Sequence, residues 1–366
     1  MTFNAEARFG NAWQDGNTPE INIPRNFLNE PQDSAPLLEP PETTAIDYSK
    51  LSYRERFMAG KWQEYLATEE AYKEIYGSPS NGHLYGIRHC RKFATFASNA
   101  DTAEVKVMAS SCRDRWCPMC AAEKASFANK QTLAYLQGLR KPRFLTLTLK
   151  HSELDLAEQL QFLQECFRKL RSRVYWKAKI KGGIWFLQVH RSESDGLWHP
   201  HLHIVIDGYY VEQAVLSDLW KLVTYGSLVL DIRRIHDAES TAQYVSRYAS
   251  RPARLEHMPL ADRVEMIESL HGKRLCGTFG TAKCVTLTPP KVERDGEWQE
   301  VGFYDEINKK AASNPDYKAV LEAYHLEQPL SDEIFNRITG VGSRAFCSNY
   351  DDTRQVQLYL DFFKGS

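Results

Sequence analysis

The chain has 366 residues, 43% hydrophobic and 25% charged, with a formal net charge of −1. That is enough sequence to bury a substantial core and to hold more than one domain. No apolar run approaches 18 residues and the charged N-terminus lacks an apolar core, so neither a membrane-spanning helix nor a secretory leader is expected. The eight cysteines do not form a secreted disulfide scaffold at this length; three at metal-ligand spacing point to a reducing cytoplasm and a metal site. The near-zero charge is uneven. Residues 1–50 hold eight acids and three bases, which leaves the remainder at about +4, a charge that one face can concentrate for nucleic acid.

Residues 1–47 carry six of the sixteen prolines and no sustained periodicity, the pattern of an acidic disordered tail. From Tyr48 to Tyr76 charged and aromatic residues alternate in a helix-like way that Gly77-Ser78-Pro79 ends. The run Cys112-Arg-Asp-Arg-Trp-Cys117-Pro-Met-Cys120, preceded by His89-Cys90, has the spacing of a four-coordinate structural Zn²⁺ site. Cys90, Cys112, Cys117 and Cys120 are the candidate ligands, with His89 as a substitute for Cys90. A redox Cys-x-x-Cys pair lacks the thioredoxin-like surroundings it needs. Residues 48–130 are therefore read as a helical, zinc-binding region.

Arg143-Phe-Leu-Thr-Leu-Thr-Leu-Lys150 alternates as a strand, and residues 153–173 repeat apolar positions as a helix. Arg168, Lys169, Arg171, Arg173, Lys177, Lys179 and Lys181 form a basic stretch broken by Tyr175 and Trp176, a candidate nucleic-acid contact. Gly183–Arg191 reads as a strand that the polar turn 192–197 returns into Trp198-His199-Pro200-His201-Leu202-His203-Ile204-Val205-Ile206. On a strand His201 and His203 share one face and Leu202 takes the other. Two neighbouring imidazoles suit a divalent metal, and Gln188 or His190 on the adjacent strand supplies a third ligand. Residues 211–224 read as a helix and 227–235 as a strand. A helix from Ser240 to Pro252 then stacks Tyr244 and Tyr248 on one face, with Arg247 and Arg251 at the same spacing. A phenol is a weak nucleophile at neutral pH, and a nearby cation with a metal-polarised phosphate makes its attack feasible.

A Phe-Leu-Thr-Leu-Thr strand, a His-hydrophobic-His strand and a Tyr-x-x-x-Tyr-x-x-Arg helix, in that order, resemble the HUH endonuclease superfamily. The cysteine knuckle upstream brings the likeness closest to the rolling-circle replication initiators of small plasmids. The resemblance runs from about His89 to Arg254. It implies an α+β fold, with a ferredoxin-like nuclease domain built on a central antiparallel sheet over 131–255. Beyond the reach of the resemblance, 256–366 is expected to be a C-terminal extension that packs on the nuclease and helps origin binding or homodimerisation. The resemblance further implies that His201, His203 and Gln188 hold Mg²⁺ or Mn²⁺ and that Tyr248 nicks single-stranded or hairpin origin DNA. The products would be a 5′-phosphotyrosyl link and a free 3′-OH for a host DNA polymerase. Tyr244 falls where some initiators carry Glu and others a second Tyr, which implies a two-tyrosine enzyme, with Arg251 where Lys is common. Two-tyrosine single-strand transposases share the chemistry and are the alternative. No Gly-x4-Gly-Lys-[Ser/Thr] is present, so a host helicase would unwind the DNA. Two further readings use some of the same residues: a zinc-knuckle protein that binds without cutting, and a metal-dependent hydrolase that uses water.

Overall fold

The computed structural model describes residues 51–78, 81–192, 195–290 and 297–340; the acidic segment expected over 1–47 lies outside them. Ser52 and Glu55 cap each other at the start of α1 (Tyr53–Met58). Gly60, in the left-handed region at φ 70°, turns the chain into α2 (Trp62–Tyr76), so the helix-like stretch ending at Tyr76 is two helices. α3 (Gly82–His89) leads to β1 (Ala94–Asn99) and β2 (Val105–Ala109), an antiparallel pair. The cysteine knuckle opens α4 (Pro118–Gln137), with proline in the first turn, where its missing N–H is no loss.

The central elements are β3 (Arg143–Thr148), α5 (Leu156–Arg171), α6 (Val174–Lys179), β4 (Ile180–Arg191), β5 (Trp198–Gly208), α7 (Gln213–Thr224), β6 (Leu230–Arg234) and α8 (Ala238–Ser246). Beyond them come α9 (Leu260–Ser269), β7 (Cys276–Gly280), β8 (Trp298–Phe303), α10 (Tyr304–Lys310), α11 (Pro315–His325) and α12 (Asp332–Thr339). Five strands form one antiparallel sheet in the order β6-β3-β5-β4-β7, which puts the histidine strand in the middle. A second sheet has the order β2-β1-β8.

Period-two alternation sorts the central sheet's side chains between two helical layers. Leu145, Leu147, Leu187, Leu202 and Ile204 are buried with the apolar stripe of α5 and with Leu216 and Trp220 of α7. Phe144, Phe186 and Val205 turn the other way and pack with Ala128 and Leu136 of α4 and Ala242 and Val245 of α8. Each such aliphatic or aromatic side chain contributes about 1.5–3 kcal/mol when fully withdrawn from water.

The described residues beyond 256 join both sheets. β7 pairs with β4 as the edge of the central sheet, and β8 pairs with β1 across some two hundred residues of sequence. Gly280, at φ 59°, ends β7 so close to β4 that a Cβ there would overlap the Lys181 carbonyl. α10, α11 and α12 cover the second sheet through Ile307, Val320 and Phe335 around Phe96. Among the described residues no helix is long and apolar enough to cross a membrane.

Candidate active site and cysteine cluster

The register of three strands assembles the site. β3 sets Thr148 opposite His201 and Thr146 opposite His203, while β4 sets Gln188 opposite His201. Thr148 Oγ1 lies 3.0 Å from His201 Nδ1 and Thr146 Oγ1 lies 3.2 Å from His203 Nδ1. With Nδ1 of each ring engaged by a threonine, Nε2 is the nitrogen a metal would take, at His203 in place of its contact with Gln188, and the hydroxyls fix the ring planes as partners of metal-binding histidines do. The two rings are nearly parallel, 18° apart, with centroids separated by 6.5 Å. Gln188 Oε1 reaches His203 Nε2 at 2.5 Å. Two imidazole nitrogens and a carboxamide oxygen fit a divalent ion that accepts mixed N and O donors. His190, the other candidate for the third position, is exposed and stands opposite His199, two pairs along the ladder from Gln188 and His201.

Burial holds both histidines neutral. Desolvation, with a smaller contribution from His199, pushes His201 down to about 4. Desolvation, with His201 and then Arg233 and Arg247 as lesser causes, pushes His203 down to about 3. An unfolded histidine takes up its proton near pH 6.5, so between there and pH 3–4 the folded state binds fewer protons than the unfolded one. The stabilisation is complete above pH 6.5 and is lost as the pH falls through that window. The loss is up to about 1.4 kcal/mol per pH unit for each histidine. In chemical denaturation with no divalent metal added, His203→Gln is expected to lose stability less steeply than wild type, by about one proton. Equal slopes would contradict neutral burial.

The tyrosines come from the opposite layer. Asp237 caps α8, which ends at Ser246 and tightens into a 3-10 turn, Arg247–Ala249, before Pro252. Tyr244 and Tyr248 thus straddle the change of helix type and both face His203. Tyr248 is buried and stacks on the imidazole at 5.6 Å and 24°. Tyr244 meets it edge-on at 5.4 Å and 75°, and the two phenol rings are 5.7 Å apart. The Arg247 guanidinium lies over Tyr244 at 4.9 Å and near Tyr248 at 6.0 Å.

One expected cation is placed elsewhere. Arg251 does not join the tyrosines' cation: it is ion-paired with Glu64 of α2. The basic stretch from Arg168 to Lys181 is not brought to the histidines. α5 covers the sheet face that carries Leu202, Lys169 pairs with Glu165 at 2.8 Å, and Arg171 lies over Phe167 and Phe279. Besides Arg247, Arg233 of β6 reaches the histidine face, as the ladder partner of Phe144 and 5.7 Å from its ring. Thr146, Thr148 and Arg233 were not singled out in sequence. The Leu-Thr alternation was the available signal for the threonines.

The four cysteines converge. Cys90 ends α3, Cys112 follows β2, Cys117 is the N-cap of α4 and Cys120 lies in its first turn. Their sulfurs lie within 4.8 Å of one another, with 3.5 Å between Cys90 and Cys120 and 3.7 Å between Cys112 and Cys120. A tetrahedral Zn²⁺ with bonds of about 2.3 Å puts its sulfurs about 3.8 Å apart, so the cluster fits zinc. The facing thiols, Cys112 first, and the Ser111 hydroxyl hold Cys120 well below the usual thiol range. His89 stands outside, hydrogen-bonded through Nδ1 to the Tyr85 carbonyl. The cluster is tied to the tyrosine turn through α4: the buried Ser250 hydroxyl donates to the Ala121 carbonyl at 3.2 Å.

The family model described as Replication protein (Rep_1) matches residues 104–324, well over half of the chain. The chain belongs to this family of replication proteins. The matched segment of this replication protein contains three of the four clustered cysteines, the histidine strand and both tyrosines. Similar curated proteins include Protein rep of Staphylococcus aureus, 27% identical over 154 residues, covering 38% of this chain and 67% of that protein. Protein rep of a Bacillus species is 30% identical over 165 residues, 40% of this chain and 53% of the relative. Protein rep of Bacillus amyloliquefaciens is 29% identical over 184 residues, 45% and 54% respectively. The chain spans from about half to two thirds of the length of these relatives. No solved structure matches it.

Proposed function

We propose that this replication protein initiates rolling-circle replication of plasmid DNA by nicking single-stranded or hairpin origin DNA through a tyrosine. The observation that carries the proposal is the convergence of His201, His203, Tyr244 and Tyr248 on one sheet face. The fold supports it. From β3 to β6 the chain runs strand–helix–strand–strand–helix–strand, with the sheet ordered fourth, first, third, second, the arrangement of a ferredoxin-like HUH nuclease. The catalytic unit would then run from α4 through β7.

Held by His201, His203 and Gln188, Mg²⁺ or Mn²⁺ would polarise the scissile phosphate and offset charge developing at phosphorus. Thr146 and Thr148 orient the imidazoles, and burial keeps them unprotonated. The Tyr248 phenol attacks phosphorus as its proton passes to water. The bond to the 3′-oxygen breaks, that oxygen takes a proton from water, and the 5′-phosphate remains on the tyrosine. Arg247 stabilises negative charge on the phenolate and the phosphate. Tyr244, within reach of the same imidazole, serves as the second nucleophile that cuts the regenerated origin and lets the ends be rejoined. Arg251 acts at a distance, by fixing the turn to α2. The four cysteines hold a structural Zn²⁺. Basic residues on the α5 side would contact DNA away from the reacting phosphate. A host helicase and polymerase complete the cycle in the cytoplasm. The replication-protein match favours initiation over transposition.

The test is a denaturing gel of the protein with labelled single-stranded origin candidates, in Mn²⁺ and in chelator. A protein-linked DNA band that requires metal is expected. Cleavage without a linked band would replace the tyrosine by water. Binding of every candidate without cleavage would overturn the nickase reading.

A further inference from the structure

We infer that His151, Asp195 and His199 form a second divalent-metal site, distinct from the His201/His203 pair and from the cysteine cluster. The three residues come from separate segments: His151 just beyond β3, Asp195 in the turn between β4 and β5, and His199 at the start of β5. One ligating atom from each lies within 4.8 Å of the others. His151 Nδ1 is 2.8 Å from Asp195 Oδ2, and His199 Nε2 is 3.8 Å from Asp195 Oδ1. The two imidazole centroids are 4.0 Å apart with their planes at 78°.

A simpler role accounts for only part of this. Asp195 caps its own turn by accepting the Leu197 N–H at 3.0 Å, and an exposed His151 beside it makes an ordinary surface pair. Neither explains His199, which is 9% exposed and whose Nε2 has no hydrogen-bond partner among the described residues. That nitrogen faces the carboxylate across a gap too long for a hydrogen bond. A buried ring nitrogen without a partner is uncommon, and an ion between nitrogen and carboxylate would satisfy both.

The donor set fixes the class of ion. Two imidazoles and one carboxylate, with the other positions open, suit Mn²⁺, Co²⁺, Ni²⁺ or Zn²⁺ and not Mg²⁺ or Ca²⁺, which prefer oxygen. His199 is two residues before His201 on the same face of β5, about 7 Å along the strand. On the nickase reading, the site adds positive charge beside the reacting phosphate; the ion binding itself does not depend on that reading.

The test is a Co²⁺ titration of the full chain, purified with zinc in its cysteines and followed by calorimetry and by the visible spectrum. Wild type is expected to take two equivalents in nitrogen and oxygen sites without new thiolate charge-transfer absorption. His151→Ala and Asp195→Asn, both at exposed positions, should each lose one equivalent or bind it at least tenfold more weakly. His203→Ala should lose the other. Loss in the first two variants with no change in His203→Ala would support this site and count against the catalytic one. If His151→Ala and Asp195→Asn titrate like wild type, or wild type takes a single equivalent that His203→Ala removes, the proposal is overturned.

Discussion

Tyr248→Phe is expected to reduce the covalent protein–DNA adduct to below about one hundredth of wild type, because the substitution removes the attacking oxygen and little else. The phenyl ring keeps its place against His203 and among Ala242, Val245 and Ala249, so the turn keeps its packing. Melting of Tyr248→Phe within a few degrees of wild type would separate a chemical loss from a structural one. Tyr244→Phe should leave the first nick within a few-fold of wild type and impair rejoining, because its ring meets the imidazole edge-on and is less enclosed. An adduct that survives in either single variant and vanishes only in the double variant would make the tyrosines interchangeable.

Cys117→Ser, or stripping the metal with a strong chelator, should unfold the region around α3 and α4 and abolish nicking with it. A structural Zn²⁺ in small zinc domains contributes an apparent 10–16 kcal/mol, about as much as the whole stability of a typical domain. Here the cluster sits at the start of α4, the helix against which α8 and the tyrosine turn pack, and Ser250 bonds the turn to Ala121, one residue after Cys120. Arg115 extends the same frame to the loop after α9 through the Leu270 and Lys273 carbonyls at 2.9 and 3.0 Å. Circular dichroism with zinc quantification checks this: helicity should fall as one equivalent of zinc is released. Release of zinc with helicity and nicking unchanged would confine the cluster to a peripheral role.

The parts of the site legible in sequence are those encoded by local spacing. His201 and His203 share a face because a strand repeats every two residues, and Gln188 meets them because a short turn fixes the register of β4 on β5. Tyr244 and Tyr248 stay together because four residues make about one helical turn, even where the helix tightens. Cys90 could be chosen over His89 only as a preference; the chain geometry at the end of α3 decides it. What sequence did not reveal depends on pairing between distant segments. Arg251 has helix spacing from Tyr248 and Arg247, yet Glu64, almost two hundred residues earlier, takes its charge. Nothing near residue 298 announces that β8 will pair with β1, or near 276 that β7 will extend the sheet. The basic run from Arg168 to Lys181 reads as one patch in sequence. A helix end, a short helix and a strand start distribute it, and the sheet then separates it from the histidines.

The measurement that tests the central claim most directly is mass spectrometry of peptides from protein that has reacted with a short origin oligonucleotide in Mn²⁺. After nuclease trimming, the account places a nucleotide, attached through its 5′-phosphate, on the peptide containing Tyr248. Cut DNA with no nucleotide on Tyr248 or Tyr244 would contradict it.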